Sequence, residues 1–333
     1  MAMTKGISQM MFTLAEVEAA LPVVREHVAP TPQYAWPLLR LRTGVDVVVK
    51  HENHAPTGAF KVRGGLTYLN ALRREHPGCQ GIISATHGNH GQSLAFAGRL
   101  AGLPVTLVIP HGTPAEKTEA MRAYGAKIVE HGVDYDDAKA HASDLAGELG
   151  LDCVPPFHRH LLVGVATYAY ELFSAFPDLD RVYVPIGFGS GICSVIGVRD
   201  ALGCRAGVVG VVPERANSYR LSIAAGHVVP INSSHTFADG LAVRVPGPEP
   251  LEIIRRGAEG IIEVTEDEIA EAIRALFSDT HNCAEGAGAA ALAGAIKERE
   301  RLRGRTVAVI VTGQNIDSAW MQTVLAGQTP KVT

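Results

Sequence analysis

Short apolar runs alternate with longer helix-like segments along most of this chain, and this alternation determines its fold class. Eight runs are typical of β-strands, at residues 47–49, 81–84, 105–110, 127–130, 182–186, 207–212, 261–264 and 307–311. Strands separated by helices form parallel sheets, because each crossover helix packs on a sheet face. The pattern therefore predicts an α/β protein with helices on both faces of its sheets.

The chain is long enough to form two lobes. Its 333 residues correspond to roughly two domains of about 150 residues. Hydrophobic residues make up 47% and charged residues 19% of the sequence, so a core can be buried and disorder is excluded. No repeat, charge block or low-complexity linker interrupts the sequence, which predicts a two-lobed enzyme without a flexible joint.

Charge and hydropathy argue against binding to nucleic acids or membranes. Thirty Lys and Arg residues against 34 Asp and Glu residues give a net charge of −4, so no basic excess serves a nucleic acid or an anionic membrane. The apolar runs are shorter than the ~20 residues of a spanning helix. The N-terminal MAMTKGISQMM lacks a signal-peptide core. We expect a cytoplasmic protein.

The cysteines and histidines predict neither a disulfide framework nor a metal site. The five cysteines are scattered, without a Cys-x-x-Cys pair or nearby paired histidines. Most of the 14 histidines are expected to be structural, because no metal-ligand spacing repeats among them.

Several helix ends have sequence signals. Capping boxes, in which a Thr and a Glu three residues later bond each other's backbone amide, are predicted at 13–16, 113–116 and 265–268. In the second, Pro114 would occupy the first helical position, and Gly125 would end that helix in a left-handed conformation.

The segment from Pro56 to Gly65 contains a candidate nucleophile, Lys61, between an aromatic and a branched residue. Composition alone favours a surface lysine. However, burial or a nearby positive charge lowers the pKa of an amine and makes it nucleophilic. The apolar, glycine-rich surroundings and Arg63 offer both.

A turn with the sequence SATHGNHGQS, residues 84–93, lies between a predicted strand and the apolar helix 94–100. Such a turn leaves backbone N–H groups free to bind an anion, for example a substrate carboxylate. Asn89 and Thr86 add side-chain donors. A plain turn with an Asn cap would explain only one of these polar residues.

Two further turns complete a predicted pocket. PIGFGSGI, residues 185–192, is a weak phosphate signal that could also belong to a dinucleotide site. A monophosphate is favoured, because the next strand ends in Pro213 and Glu214 without a clear ribose-binding acid. VTGQN, residues 311–315, follows the last strand, where ligands of open α/β sheets bind.

In this order, the motifs resemble those of the fold-type II pyridoxal-phosphate enzymes, in particular the serine/threonine dehydratase and serine racemase group. The resemblance runs from about Pro30 to Asp317 and includes TGAFKVRG, GNHGQ, the glycine-rich loop, FADG at 237–240, EGAGAA at 285–290 and TGQN. It implies a two-lobed, tryptophan synthase β-like fold with open, mostly parallel sheets. Residues 1–52 and 153–333 would form the large cofactor-binding domain, and residues 53–152 the small domain.

The resemblance also implies roles for individual residues. Lys61 would form the Schiff base with pyridoxal 5'-phosphate and act as general base. The expected cofactor-binding residues are Phe60, Lys61, Asn89, Gly187, Phe188, Gly189, Ser190, Gly191, Gly240, Glu285 and Thr312. The expected substrate-binding residues are Thr86, His87, Gly88, Asn89 and His90.

The implied activity is β-elimination from a β-hydroxy amino acid, giving a 2-oxo acid and ammonia. A hydroxyl at Thr312 would not keep the pyridine nitrogen protonated, which weakens the electron sink and favours rapid loss of a β-substituent. The substrate would be threonine, serine or a larger analogue such as 3-hydroxyaspartate or phenylserine. A racemase, a β-replacement synthase and a non-catalytic binding protein are the alternatives. Relatives are usually homodimers or homotetramers.

Four features depart from the family pattern. His87 replaces a small serine, so it either faces a large or polar β-substituent or points away to the other lobe. Phe188 and Ser190 interrupt a loop that is often all glycine. Val212 and Ser218 stand where a divalent-cation site would need acids, so we expect no metal. We also expect no C-terminal effector domain.

Overall fold

The structure is a computed structural model that describes residues 11–332, so the N-terminal residues 1–10 of the signal-peptide prediction lie outside the described residues. The strands are β1 (Gln33–Ala35), β2 (Asp46–His51), β3 (Ile82–Ala85), β4 (Val105–Ile109), β5 (Lys127–Glu130), β6 (Asp152–Cys153), β7 (Arg181–Pro185), β8 (Gly207–Pro213), β9 (Gly260–Val264) and β10 (Thr306–Val311).

Helices connect most of these strands and cover the sheet faces. They are α1 (Leu14–Arg25), α2 (Pro37–Thr43), α3 (Lys61–Glu75), α4 (Asn89–Ala101), α5 (Ala115–Ala123), α6 (Tyr135–Leu149), α7 (Arg159–Ala175), α8 (Ser190–Leu202), α9 (Ser218–Ala225), α10 (Pro248–Gly257), α11 (Glu266–Thr280), α12 (Gly286–Lys297) and α13 (Ser318–Leu325). Short 3₁₀ turns occupy Glu52–His54, Glu214–Ala216, Asp239–Leu241 and Arg299–Leu302.

The described chain forms two sheets. The larger has the order β1-β2-β10-β7-β8-β9, and the smaller β5-β4-β3-β6. Neighbouring strands are parallel except for β1, which is antiparallel to β2. The predicted α/β class with open, mostly parallel sheets is confirmed. The division at residues 52/53 and 152/153 stays a prediction; the smaller sheet lies within 53–152 except for Cys153, the last residue of β6.

Each of the eight predicted strand segments lies largely within an observed strand. Pro110 falls just beyond β4, whereas Ile186 follows β7 and still donates its N–H to the carbonyl of Val211. The prediction missed β1 and β6, which have three and two residues and are not buried. So short a segment shows no measurable alternation of apolar and polar residues.

Two of the three predicted capping boxes form, at Thr13 and Thr265. The box at 113–116 was wrong. Pro114 occupies the cap position with extended backbone (ψ 136°), so α5 begins one residue later than predicted. Thr113 therefore precedes the cap, and its hydroxyl donates to the carbonyl of Pro110 (2.8 Å). Gly125 is left-handed after α5, as predicted (φ 92°).

The sequence analysis predicted no disulfide framework, no metal site and no membrane-spanning helix. All five cysteines are free thiols. Among residues 11–332, no group of three or more His, Cys, Asp or Glu side chains is placed to hold a metal ion. No helix in the same part of the chain is long and apolar enough to cross a membrane.

Candidate active site

The sequence motifs come together in one cleft. It lies at the carboxyl ends of β3, β7 and β10, where ligands of open α/β sheets bind. Every residue predicted to bind cofactor or substrate lines it, namely Phe60, Lys61, Thr86, His87, Gly88, Asn89, His90, Gly187, Phe188, Gly189, Ser190, Gly191, Gly240, Glu285 and Thr312. The individual roles of these residues stay predictions.

Lys61 begins α3 and projects into the cleft. The N–H of the preceding residue, Phe60, donates to the carbonyl of Thr312 (3.0 Å), which ties this helix start to the end of β10. The Nζ atom donates to Oγ of Ser190 (2.9 Å) and lies 5.0 Å from the centroid of the Phe60 ring. Burial lowers the pKa of Lys61 to about 8, so an appreciable fraction of the amine is neutral near neutral pH.

Arg63 does not contribute to this shift, contrary to the prediction. Its guanidinium is fully buried and bonds Glu52 (2.8 Å) and Glu171 (2.9 Å). Lys50 donates to the same Glu171 carboxylate (2.7 Å). The positive charge of Arg63 is compensated within this buried network, and desolvation alone lowers the pKa of Lys61.

The glycine-rich loop joins β7 to the N-terminus of α8, where backbone N–H groups lack intrahelical acceptors. Gly189 is left-handed (φ 93°), and a Cβ atom there would lie 2.6 Å from Cβ of Pro250. A Cβ on Gly187 would lie 2.4 Å from the carbonyl oxygen of Gly240. These contacts exclude larger residues and leave the helix N-terminus open, which suits a phosphate dianion.

The turn after β3 is organised by Thr86. Its hydroxyl accepts the N–H groups of Gly88 and Gly91, both at 2.9 Å. Gly88 has φ 151°, and a Cβ there would lie 3.0 Å from Cδ of Lys117. Thr86 therefore holds the shape of the turn, in addition to lining the cleft.

Amide side chains link this turn to the end of β10 and the start of α12. Asn89 donates through Nδ2 to Oε1 of Glu285 (2.6 Å) and accepts at Oδ1 from Asn315 (2.7 Å). Asn315 also donates to the carbonyl of Thr57 (2.9 Å). This chain of hydrogen bonds fixes the orientation of the Asn89 amide towards the cleft.

Two buried polar atoms facing the cleft have no hydrogen-bond partner among the described residues, namely Oε2 of Glu285 and Nε2 of His90. Burial raises the pKa of Glu285 to about 7 and lowers that of His90 to about 3. Buried polar groups in native proteins are normally paired. The two unpaired atoms, the glycine cradle and the amine of Lys61 fit a polar phosphorylated aldehyde such as pyridoxal phosphate.

Comparison with known proteins agrees with this fit. The sequence model described as "Pyridoxal-phosphate dependent enzyme" matches residues 24–313. The chain belongs to this family. The predicted cofactor, pyridoxal 5'-phosphate, is thereby confirmed for this pyridoxal-phosphate dependent enzyme, as is the predicted family resemblance.

Similar proteins include lyases and a racemase. L-threo-3-hydroxyaspartate ammonia-lyase of Saccharomyces cerevisiae is 32% identical over 320 residues, covering 95% of this enzyme and 96% of the yeast protein. The processed form of threonine deaminase isoform 2 from Solanum lycopersicum has a TM-score of 0.89 at 30% identity, covering 98% and 95%. A pyridoxal 5'-phosphate-dependent aspartate racemase has a TM-score of 0.88 at 28% identity, covering 93% and 98%.

Sequence reasoning missed a charged pair at the mouth of the cleft of this pyridoxal-phosphate dependent enzyme. Lys117 of α5 forms an ion pair with Asp239. Although burial by itself lowers the pKa of Lys117, the carboxylates of Asp239 and Glu285 outweigh it and raise the pKa. Asp239 lies in the FADG motif, but Lys117 has no sequence signal because only the fold brings α5 to this position.

The imidazole of His87 does not point away to the other lobe. It lines the cleft and lies against the ring of Tyr135, with centroids 5.5 Å apart and planes at 33°. Burial lowers its pKa, so the ring is neutral at neutral pH. Tyr135, which begins α6, is a second lining residue that the sequence did not reveal.

Glu285 makes the cofactor-free protein less stable as the pH rises. Its folded pKa of about 7 exceeds the ordinary value of 4.5, so the folded state binds the proton more tightly, and stability falls between these pH values. Between pH 5 and 8, the free energy of unfolding of the wild-type protein, measured in urea, should fall by on the order of 2 kcal/mol because of Glu285, and Glu285→Gln should not show this fall. The exposed Glu148→Gln is the matched control. An unchanged pH slope in Glu285→Gln would contradict the assignment.

Proposed function

We propose that this enzyme is a pyridoxal-phosphate-dependent dehydratase (ammonia-lyase) that converts a β-hydroxy amino acid to a 2-oxo acid and ammonia. The observation that carries the proposal is the Lys61 amine, which has a pKa near 8 and lies between the glycine-rich loop and the Asn89 turn. An amine with this pKa is suited to remove and return a proton at neutral pH. The activities named for the yeast and tomato proteins support the same reaction class.

Residues of the cleft have separate tasks in this proposal. The loop 187–191 would hold the phosphate, Asn89 would hold the ring at its hydroxyl side, and Thr312 would contact its nitrogen. When bound, pyridoxal phosphate supplies an electron sink that makes the substrate α-proton acidic. Lys61 takes that proton through Nζ. The hydroxyl of Ser190 accepts from Nζ in the free site and thereby orients the amine.

The remaining residues would bind substrate and exclude water. Asn89 and His90 line the cleft at the N-terminus of α4, a position that suits the substrate carboxylate. Thr312 supplies a neutral hydroxyl instead of a carboxylate, so no fixed negative charge stabilises an added proton on the ring nitrogen. This favours departure of a β-substituent over reprotonation at the α-carbon.

Product analysis tests the proposal. Purified holoenzyme is incubated with serine, threonine, 3-hydroxyaspartate and phenylserine, and 2-oxo acid and ammonia are measured. We expect the two products in equal amounts from at least one substrate. Inversion of the α-carbon without ammonia would support the racemase alternative, which the similarity to aspartate racemase favours. A colourless, inactive protein would support a non-catalytic role.

His87 is expected to influence substrate choice. Replacement by serine removes the imidazole that lies against Tyr135 and widens this part of the cleft. We expect His87→Ser to shift relative kcat/KM towards serine and threonine by about tenfold, the equivalent of ~1.4 kcal/mol. The ratio of kcat/KM across the four substrates is the measurement, and the variant carries the small side chain that the family resemblance implies at this position. An unchanged ratio in a folded, yellow variant would show that His87 does not select the substrate.

We also propose a homo-oligomer in the cytoplasm. Leu38 and Leu41 are 50% and 81% exposed three residues apart on α2, and Tyr34 of β1 is 54% exposed. Such an apolar surface is suited to contact with a second copy of the chain. Five free cysteines fit a reducing compartment. The mass of the protein in solution tests the first proposal.

A further inference from the structure

We propose that the part of the cleft lined by His87, Tyr135 and Phe188, here called the side-chain compartment, holds the β-substituent of the substrate. It selects a β-hydroxy amino acid with an uncharged aromatic β-substituent, of the phenylserine class. The inference rests on the proposed dehydratase function and names its substrate class. It depends on three aromatic rings in the lining of the cleft and on the pairing of the nearby charges.

A second cavity adjoins the cleft and shares part of its lining. Residues that line both cavities are His87, Tyr135, Phe188, Asp239, Ala242 and Val243. Trp320 lines the second cavity at another side. An aromatic β-substituent would lie against the shared lining residues, whereas the methyl group of threonine is too short to cover them.

Three rings form the wall between the two cavities. Tyr135 lies between His87 and Phe188, with centroid distances of 5.5 and 4.9 Å and interplanar angles of 33° and 44°. Such tilted arrangements are typical of favourable ring contacts, and a further ring can extend the series. Tyr135 comes from α6 and Phe188 from the glycine-rich loop, so the wall exists only in the folded chain.

The charges around this wall disfavour a carboxylate as β-substituent. Lys117 is paired with Asp239, and Arg244 of the second cavity is paired with Asp134 (3.0 Å) and Asp136 (2.5 Å). Burial keeps His87 neutral. A second carboxylate on the substrate would have to displace one of these pairs and would meet the remaining acidic groups. The yeast relative is named for such a substrate, so this enzyme is expected to differ from it.

The reaction on phenylserine balances without a further reactant. The α C–H and β C–O bonds break with loss of water, and hydrolysis of the resulting enamine's imine tautomer returns one water, so that phenylserine yields phenylpyruvate and ammonia. In the holoenzyme, we expect kcat/KM for phenylserine to exceed those for threonine and 3-hydroxyaspartate at least about tenfold, which corresponds to ~1.4 kcal/mol.

A binding measurement separates this inference from the proposed function. Phenylalanine, alanine and aspartate lack a β-hydroxyl, and their binding is followed by the absorbance of the bound cofactor. Tighter binding of phenylalanine supports the aromatic compartment even if no substrate yields ammonia, an outcome that would overturn only the dehydratase. Elimination from threonine or 3-hydroxyaspartate with no preference for phenylserine or phenylalanine would overturn the compartment and leave the dehydratase intact.

Two variants and one control locate the effect. Tyr135→Leu keeps an apolar side chain and should lower the phenylserine-to-threonine ratio of kcat/KM about tenfold, whereas Tyr170→Leu, outside both cavities, should not. Asp239→Asn removes the partner of Lys117 and should raise relative kcat/KM for 3-hydroxyaspartate. If Tyr135→Leu folds and binds cofactor yet keeps the wild-type ratio, the aromatic wall does not select the substrate.

Discussion

Replacement of Lys61 by alanine is expected to abolish turnover. The amine is the group in the cleft with a pKa near 8, and loss of a general base alone costs about 10²–10⁴-fold in rate. The same variant should lose the covalent link to the cofactor, which borohydride reduction of the wild-type enzyme makes permanent. Steady-state kinetics and the absorbance spectrum of the purified protein measure both effects.

Ser190→Ala is the matched control for Lys61. It removes the hydroxyl that accepts from Nζ (2.9 Å) but keeps the amine, so it should retain the covalent link with a smaller loss of rate. A Lys61→Ala protein that is active and has an unchanged spectrum would show that another residue binds the cofactor.

Gly189→Asp should cause the largest loss of cofactor affinity. A carboxylate here would face a phosphate dianion in a partly desolvated loop, at a cost on the order of several kcal/mol. This corresponds to about 10³-fold in the dissociation constant. Equilibrium dialysis of the cofactor is the measurement, and activity per bound cofactor should fall much less.

Part of that loss has a steric origin, which a second variant isolates. Gly189 is left-handed and a Cβ would lie 2.6 Å from Pro250, so Gly189→Ala carries the strain without the charge. A Cβ on Gly191 would lie 3.4 Å from the hydroxyl of Tyr168, an ordinary contact distance, which makes Gly191→Ala the milder variant. Equal affinities of the Asp and Ala variants at 189 would place the phosphate elsewhere.

Local sequence signals determined the fold class and the contents of the cleft. Apolar runs with strand length mark β2 to β5 and β7 to β10, because burial on both faces requires continuous apolar residues; β5, at the edge of the smaller sheet, is only partly buried. The glycine-rich loop and the Asn89 turn each lie at the carboxyl end of a strand, as expected for ligand sites of open α/β sheets. They follow β7 and β3, which belong to different sheets, so their convergence depends on how the two sheets pack. Lys61 was identifiable because its motif and the Asn89 turn occur together in one chain.

Tertiary structure decided which charges act in the cleft. The sequence placed Arg63 two residues from Lys61, but α3 turns the guanidinium towards Glu52 and Glu171. Lys117, far along the chain from Asp239, pairs with it through the fold. Electrostatic effects depend on distance and burial in three dimensions, and sequence spacing gives neither.

The wall of the side-chain compartment was likewise decided by the fold. His87 departs from the family pattern in the sequence. Its place in the cleft, however, depends on the fold, which brings its ring against Tyr135. Tyr135 lies in no motif, since it is an ordinary first residue of an amphipathic helix. The motifs thus determined the cofactor and reaction class, because that chemistry requires particular residue types at short spacing. The shape of the space beside them was decided only by packing between segments distant in the chain.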